Sequence, residues 1–220
     1  MVTSLKPLQI GVMLESVQLS DIVGIDILGS VSKEYLDLTN TSIPVPEHLF
    51  TQAPSMTFHY VATSLSEPAF MTPSLKFMPT VTYETCPRDL DILIIGGPLP
   101  DHRPAAADIF MKEAVEKSKV VMSICTGGIW LAHSGVLNGR KATTNRMMLA
   151  LAKELHPEVE WKDARWVVDG KFWTSGGAGC GVDMIVDYVK SGRFGENIVQ
   201  FALETLQIGV GEKPSRFYKA

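Results

Sequence analysis

The sequence predicts an α/β fold in which helices cover both faces of a mostly parallel sheet. Three runs of apolar residues, 8–14, 90–95 and 119–124, have the length and composition of strands that are buried on both faces. Segments with helical periodicity separate these runs, and this alternation is typical of a parallel sheet. With 220 residues, 45% of them hydrophobic and 20% charged, the chain is expected to form a single domain over residues 1–220.

The first half of the chain predicts a strand at 8–14 and then a helix over 21–36. Residues 39–54 are rich in Thr, Pro and Ser and lack periodicity, so they predict a long surface loop. Residues 57–63 alternate as a strand does, and residues 71–81, which contain two prolines, predict a short hairpin.

The second half of the chain continues the alternation of strands and helices. Asp169-Gly170 lies between two short apolar segments and is the strongest hairpin signal in the sequence. Ligands of open α/β sheets bind beyond the carboxyl ends of the strands, so we expect the functional site at that edge. Besides the strands at 90–95 and 119–124, the predicted elements are helices over 105–117, 126–133, 147–155, 182–190 and 196–207, and hairpin strands over 165–168 and 172–174.

Charge and cysteine content exclude several classes of function. The net charge is −4, the pI is near 5.7, and no local run supplies a basic patch, so neither nucleic acid nor an anionic membrane is an expected partner. No stretch approaches the roughly 18 apolar residues of a membrane span, and no signal peptide is evident, so we expect a cytoplasmic protein. Cys86, Cys125 and Cys180 lack metal-ligand spacing, and we predict neither a disulfide framework nor a metal site.

The run Ser123-Ile124-Cys125-Thr126-Gly127-Gly128 has the features of a nucleophile elbow. A strained turn between a buried strand and a helix needs small neighbours and presents one side chain at the edge of the sheet. The helix that begins at Thr126 would direct its free N–H groups at the sulfur, and we expect this to favour the thiolate. A free cysteine is otherwise usually a small hydrophobic residue of the core.

A second turn suggests how the site stabilises negative charge. Gly96-Gly97 ends the strand that precedes the Cys125 strand along the chain. If the two strands are neighbours, the N–H groups of Gly97 and Thr126 can converge on one oxygen as an oxyanion hole. A tight turn that needs glycine for its dihedral angles explains the same residues equally well.

The sequence resembles the ThiJ/PfpI superfamily over nearly its whole length. Each motif alone is weak, whereas their combination is highly specific. The motifs are Ile10-Gly11-Val12, Asp21-Ile22-Val23-Gly24, Asp91-Ile92-Leu93-Ile94-Ile95-Gly96-Gly97, the Cys125 elbow, Gly135-Val136-Leu137-Asn138-Gly139-Arg140-Lys141-Ala142-Thr143-Thr144, Asp169-Gly170-Lys171-Phe172-Trp173-Thr174-Ser175-Gly176-Gly177 and Gly181-Val182-Asp183. Cys-Thr-Gly followed by Ala-Thr-Thr is most similar to the isonitrile hydratase branch.

The resemblance implies a flavodoxin-like three-layer sandwich, a homodimer, a small-molecule substrate and no cofactor. It also implies a carboxyl group beside the elbow cysteine. Matching Ser20-Asp21-Ile22-Val23-Gly24 to the branch's Leu-Asp-Leu-Thr-Gly pattern assigns that role to Asp21, and Asp26 is a second candidate. Either acid can instead be a helix cap or a solvated charge in a first helical turn.

The chain departs from the family pattern at two positions. Protease-like and glyoxalase-like branches place a histidine directly after the nucleophile, where this chain has Thr126, and the hydratase branch has His-Trp where this chain has Asn145-Arg146. We therefore place Asn145 and Arg146 in the substrate pocket, with Arg146 a candidate partner for a substrate carboxylate. His102 is the best candidate for a remote catalytic histidine, and the 39–54 loop is a candidate cover for the pocket.

These features predict a cysteine-dependent hydratase. Cys125 would attack an electrophilic carbon, an Asp21 carboxyl whose pKa is raised by burial would relay a proton, and water would release the product. One alternative is glyoxalase or deglycase chemistry on 2-oxoaldehydes. Another is a non-catalytic, redox-sensing stress-response dimer in which the thiol is oxidised.

Overall fold

The computed structural model describes residues 6–99 and 102–208. Strands and helices alternate along the chain in the way that the sequence predicts. The strands are β1 Leu8–Met13, β2 Val17–Gln18, β3 Met56–Ala62, β4 Ala69–Thr72, β5 Leu75–Phe77, β6 Val81–Thr82, β7 Ile92–Ile95, β8 Val120–Ile124, β9 Lys141–Ala142, β10 Glu160–Trp161, β11 Trp166–Asp169 and β12 Phe172–Ser175. The helices are α1 Leu19–Ile22, α2 Ile25–Ser30, α3 Lys33–Thr39, α4 Glu47–Phe50, α5 Ala105–Lys117, α6 Gly127–His133, α7 Leu149–Leu155, α8 Ala178–Lys190 and α9 Glu196–Leu206.

Within the described residues, the central sheet has seven strands in the order β11-β12-β8-β7-β1-β3-β6. All neighbours in it pair in parallel except β11 and β12, which form the antiparallel hairpin expected around Asp169-Gly170. Pairing of Ile95 with Ser123 aligns the ends of β7 and β8. The turn after β7 and the turn after β8 therefore lie side by side at one edge of the sheet.

Both faces of this sheet are buried, because successive strand residues alternate between two apolar clusters. Along β7, Ile92 and Ile94 join the cluster that also contains residues of α8 and α9. Leu93 and Ile95 join the cluster that contains residues of α5 and α6. The fold is thus the flavodoxin-like three-layer sandwich with a mostly parallel sheet, as predicted.

The region before β3 differs from the prediction. The expected helix over 21–36 is divided into α1, α2 and α3, and the 39–54 segment contains the short helix α4. Gln52 contacts Gly195 at the start of α9, and the Pro54 carbonyl accepts the Lys33 N–H. These contacts hold the segment against α3 and α9.

Two small sheets were not foreseen as sheets. The β4-β5 hairpin, residues 69–77, overlaps the hairpin predicted over 71–81, whereas Val81 belongs to β6 of the central sheet. Strand β2 pairs with β4 in parallel, with Val17 opposite Met71, and completes this small sheet. Strands β9 and β10 also pair in parallel. Among the described helices, none has both the length and the apolar character needed to cross a membrane.

Candidate active site

Cys125 occupies a strained turn between β8 and α6. Its φ is +59°, a left-handed conformation that is uncommon for a residue with a side chain. The Cys125 N–H donates to the Ser175 carbonyl at 3.1 Å, and the Cys125 carbonyl accepts the Thr144 hydroxyl at 2.8 Å. A Cβ at Gly127 would lie 2.5 Å from the Ile95 carbonyl oxygen, so the turn requires glycine there. The sharp elbow predicted at Cys125 is confirmed.

Asp21 is a buried acid in contact with this thiol. Its side chain lies on α1 and is 2% exposed. One oxygen, Oδ2, accepts the Gly97 N–H at 3.1 Å, and the carboxyl is also hydrogen-bonded to the Cys125 thiol. Burial raises the pKa of Asp21 to about 6, although both hydrogen bonds oppose the shift. The other oxygen, Oδ1, has no hydrogen-bond partner among the described residues.

The Gly97 and Thr126 backbones converge, because the turns after β7 and β8 are neighbours. A Cβ at Gly97 would lie 2.7 Å from Asp21 Oδ2 and 2.9 Å from the Thr126 nitrogen, so only glycine fits. The Thr126 N–H is hydrogen-bonded to the Cys125 sulfur. The expected oxyanion hole is therefore revised: in this structure the Gly97 N–H holds the carboxyl, and the Thr126 N–H is directed at the thiol.

The electrostatics of the thiol differ from the prediction. The pKa of Cys125 is raised, first because burial penalises the thiolate and then because the Asp21 carboxylate repels it. Hydrogen bonds from Asn145 and the Thr126 N–H oppose these effects without reversing them. The Thr126 N–H at the start of the elbow helix favours the thiolate, as expected, but burial and Asp21 outweigh it and keep the resting thiol protonated. At neutral pH the protonated thiol faces an ionised Asp21, which is placed to accept its proton.

Asn145 also contacts the sulfur. Its amide nitrogen Nδ2 lies 3.2 Å from Cys125 Sγ. It precedes a 3-10 turn, Arg146–Met148, and its Oδ1 accepts the Met147 N–H at 3.0 Å. The assignment of Asn145 to the pocket thus has a direct contact to support it.

A cavity of about 370 Å³ opens onto the thiol. Among the residues that the structure describes, the side chains that line it are uncharged apart from the ionisable thiol itself. The lining residues are Ser16, Gln18, Thr72, Gly97, Pro98, Leu99, Cys125, Thr126, Asn145, Met147 and Met148. None of them belongs to the 39–54 segment, so the expectation that this segment covers the pocket does not hold in the structure.

The structure does not bring the second acid candidate to the thiol. Asp26 is exposed and lines a different cavity with Ser32 and Tyr35. The exposed Arg146 pairs with Asp163 instead: its Nε lies 3.0 Å from Asp163 Oδ1, and its Nη2 lies 3.1 Å from Oδ2. This guanidinium already holds a carboxylate of its own chain and does not line the cavity.

His102 does not line the cavity. Its Nε2 is 3.4 Å from Glu15 Oε2, and its ring meets the edge of Trp130 with centroids 6.1 Å apart. Burial raises the pKa of Glu15, but its interactions with His102, Thr63 and Tyr83 outweigh burial and lower it overall. His102 therefore pairs with an acid of its own and is not placed to activate Cys125.

The sequence reasoning missed several lining residues. Ser16, Gln18 and Thr72 reach the site because β2 pairs with β4, a contact between segments more than fifty residues apart. A two-residue strand has no periodicity to detect, so only the tertiary structure places them there. Within the described ranges, no group of three or more His, Cys, Asp or Glu side chains is arranged to hold a metal ion.

Comparison with known proteins adds family membership to this geometry. The model of the DJ-1/PfpI family matches residues 40–191. The chain is 30% identical to an isonitrile hydratase of Pseudomonas putida over 178 residues, which cover 78% of this chain and 73% of the relative. It is 37% identical to a deglycase of Thermococcus kodakarensis over 95 residues, which cover 42% of this chain and 55% of the relative. A ThiJ/PfpI family protein of Pseudomonas syringae superposes with a TM-score of 0.75 at 23% identity, covering 97% of this chain and 79% of that one. The chain therefore belongs to the DJ-1/PfpI family.

Proposed function

We propose that this protein is a cysteine-dependent hydratase that adds water to a small, neutral electrophile of the isonitrile type, with no cofactor. The observation that carries the proposal is the contact between the Cys125 thiol and the buried Asp21 carboxyl, whose pKa is raised to about 6. A carboxyl with this pKa is ionised at neutral pH but readily accepts a proton, as a general base and then a general acid must. Among the described lining residues there is no histidine to take that role.

In the first step, the thiol adds to the terminal carbon of the isocyanide R–NC. The S–H proton passes to the Asp21 carboxylate while the sulfur electron pair forms the C–S bond. Asp21 then passes this proton to the attacked carbon, which gives the thioimidate R–N=CH–S–Cys, whose sulfur is that of Cys125. The contact between the Asp21 carboxyl and the thiol supports this residue as the carrier of the proton between the two sites.

In the second step, water adds to the thioimidate carbon. One water proton goes to the substrate nitrogen, and the C–S bond breaks as the oxygen becomes a carbonyl. The second water proton returns to the sulfur, which restores the thiol and releases the formamide R–NH–CHO. Asp21 is the group placed to accept a proton from the water and to deliver it, because it contacts the sulfur of the C–S bond that the first step forms and the second step breaks.

The described residues that line the cavity include no charged side chain, which supports a neutral substrate. A charged group on a ligand is costly to bury without a partner of opposite charge. The guanidinium of Arg146, which follows the lining residue Asn145 in the sequence, is already paired with Asp163. The earlier expectation of a carboxylate-bearing metabolite held by Arg146 is therefore replaced. Pro98, Leu99, Met147 and Met148 offer contacts to an apolar substituent.

A second candidate is deglycase or glyoxalase chemistry, which the match to the Thermococcus kodakarensis deglycase supports. It uses the same thiol but needs a base that moves a proton between two substrate carbons. Asp21 is also the acid available for that transfer, so the two candidate functions are distinguished by measuring activity on each substrate.

The test is a panel of alkyl isocyanides and methylglyoxal, assayed with the wild-type protein and with Cys125→Ser. Formation of the N-substituted formamide by the wild type, with turnover lost in the variant, is the expected result. Conversion of methylglyoxal with no conversion of any isocyanide would replace the hydratase proposal with the deglycase one. Selective oxidation of Cys125 by peroxide in a protein inert to both substrates would favour redox sensing.

A further inference from the structure

Among the described residues, the neutral side chain that donates to the Cys125 sulfur is Asn145, and a second hydrogen bond fixes its orientation. Asn145 Nδ2 lies 3.2 Å from Sγ, while Oδ1 of the same amide accepts the Met147 N–H at 3.0 Å. An amide oxygen only accepts hydrogen bonds and an amide NH₂ donates them. With Oδ1 committed to the 3-10 turn, the NH₂ is the group that faces the sulfur.

The Asn145 donor is important because the nearby charged side chain does not stabilise a negative charge on the Cys125 sulfur. The charged side chain that acts on Cys125 among the described residues is Asp21, which disfavours the thiolate. Arg146 follows Asn145 but is paired with Asp163, and His102 is paired with Glu15. No described cationic side chain lines the cavity. Negative charge on sulfur must therefore be stabilised by N–H dipoles, and those in contact are Asn145 and the Thr126 backbone.

We propose that Asn145 is a catalytic residue whose capped amide donates to Cys125 Sγ and stabilises the thiolate as it forms. Its part in turnover rests on the proposed function, whereas its effect on the sulfur does not. When the thiol proton passes to Asp21, the sulfur becomes negative, and the hydrogen bond that it accepts from the Asn145 amide becomes charge-assisted. Because an amide does not titrate, Asn145 remains a donor at every pH at which the protein is folded. The histidine that the isonitrile hydratase pattern has at this position is, in contrast, a titratable side chain.

The test compares three variants by alkylation of Cys125 with iodoacetamide, followed across pH by mass spectrometry of the peptide that contains it. Asn145→Asp keeps an oxygen for the Met147 N–H but places a negative charge at the sulfur. Asn145→Ser keeps a good N-cap acceptor and removes the amide. Asn40→Asp is the matched control, because Asn40 Oδ1 likewise accepts a backbone N–H, that of Val45 at 2.9 Å, away from the cavity.

We expect Asn145→Asp and Asn145→Ser each to slow alkylation at pH 8 about tenfold or more, the scale of a lost charge-assisted hydrogen bond. The midpoint of alkylation against pH should rise in both, and Asn40→Asp should match the wild type. Wild-type alkylation profiles in both Asn145 variants, with unchanged circular dichroism, would overturn the inference. Because alkylation needs no substrate, a shifted profile in a protein that hydrates no isocyanide would support the donor role and reject only the proposed function.

Discussion

Replacing Asp21 with asparagine should stabilise the protein at neutral pH while removing activity. The folded state raises the pKa of this carboxyl from 3.8 to about 6, a shift equivalent to about 3 kcal/mol of destabilisation when the group is ionised. Asparagine is close in shape, keeps an oxygen for the Gly97 N–H, and carries no charge to bury. The same residue that makes the site reactive is thus expected to lower the free energy of unfolding.

The pH dependence of this effect follows from the direction of the shift. Below pH 3.8 the carboxyl is protonated in both states and contributes nothing. Between pH 3.8 and about 6 the unfolded chain ionises while the folded protein holds its proton, so the penalty grows with pH. Above about pH 6 it is complete. The stability gain of Asp21→Asn should therefore be largest at pH 7 and should nearly vanish at pH 4.

Urea unfolding of the wild type and Asp21→Asn at pH 4, 5 and 7.5 measures this gain. Asp26→Asn is the control, because Asp26 is exposed on the neighbouring helix α2 and should change the unfolding free energy by less than about 0.5 kcal/mol. A stability difference between Asp21→Asn and the wild type that stays the same from pH 4 to pH 7.5 would refute the buried-carboxylate account of Asp21.

Three further predictions follow from the geometry. Gly97→Ala would place a Cβ 2.7 Å from Asp21 Oδ2 and 2.9 Å from the Thr126 nitrogen, and the resulting displacement should lower turnover about 100-fold; wild-type turnover would contradict the tight packing. Arg146→Ala should leave turnover within about twofold and stability within about 1 kcal/mol, since its ion pair with Asp163 is solvent-accessible; a large rise in KM would return Arg146 to the substrate site. The homodimer implied by the family resemblance predicts a mass twice the 24.1 kDa of the chain in light scattering; a monomer at micromolar concentration would contradict it.

The sequence was most informative where an element is defined by local composition. Helix α5 has the predicted bounds, Ala105–Lys117, because Pro104 precedes its first turn and apolar residues recur at helical spacing. Strands β7 and β8 are short runs buried on both faces, which a sequence marks by uninterrupted apolar residues. Their pairing then brings Gly97 and Cys125 to one edge, as the glycine turns suggested.

Helix boundaries in the N-terminal region depended on packing that the sequence does not display. A Cβ at Gly24 would lie 2.3 Å from Ile185 Cδ1, so the chain approaches α8 closely where α1 ends. Ser32 then begins α3 by accepting the Tyr35 N–H with its side chain. Periodicity across 21–36 indicated helical residues correctly but could not show these interruptions.

Residue identity alone could not assign the orientation of neighbouring side chains. Asn145 and Arg146 are adjacent, yet one donates to the Cys125 sulfur and the other pairs with Asp163. Similarly, the raised pKa of Cys125 results from burial and from Asp21, both of which are properties of the folded chain. A motif can therefore identify the nucleophile, but its protonation state requires the structure.

Rapid-quench mass spectrometry of the wild-type protein mixed with an alkyl isocyanide observes the proposed covalent step itself. The thioimidate requires that Cys125 gain the whole mass of the isocyanide, because the thiol proton stays in the adduct. We predict a transient adduct of that mass on the Cys125 peptide, preceding the formamide and absent from Cys125→Ala. Formamide produced by Cys125→Ala at the wild-type rate, with no adduct in the wild type at any quench time, would contradict the assignment of Cys125 as the nucleophile.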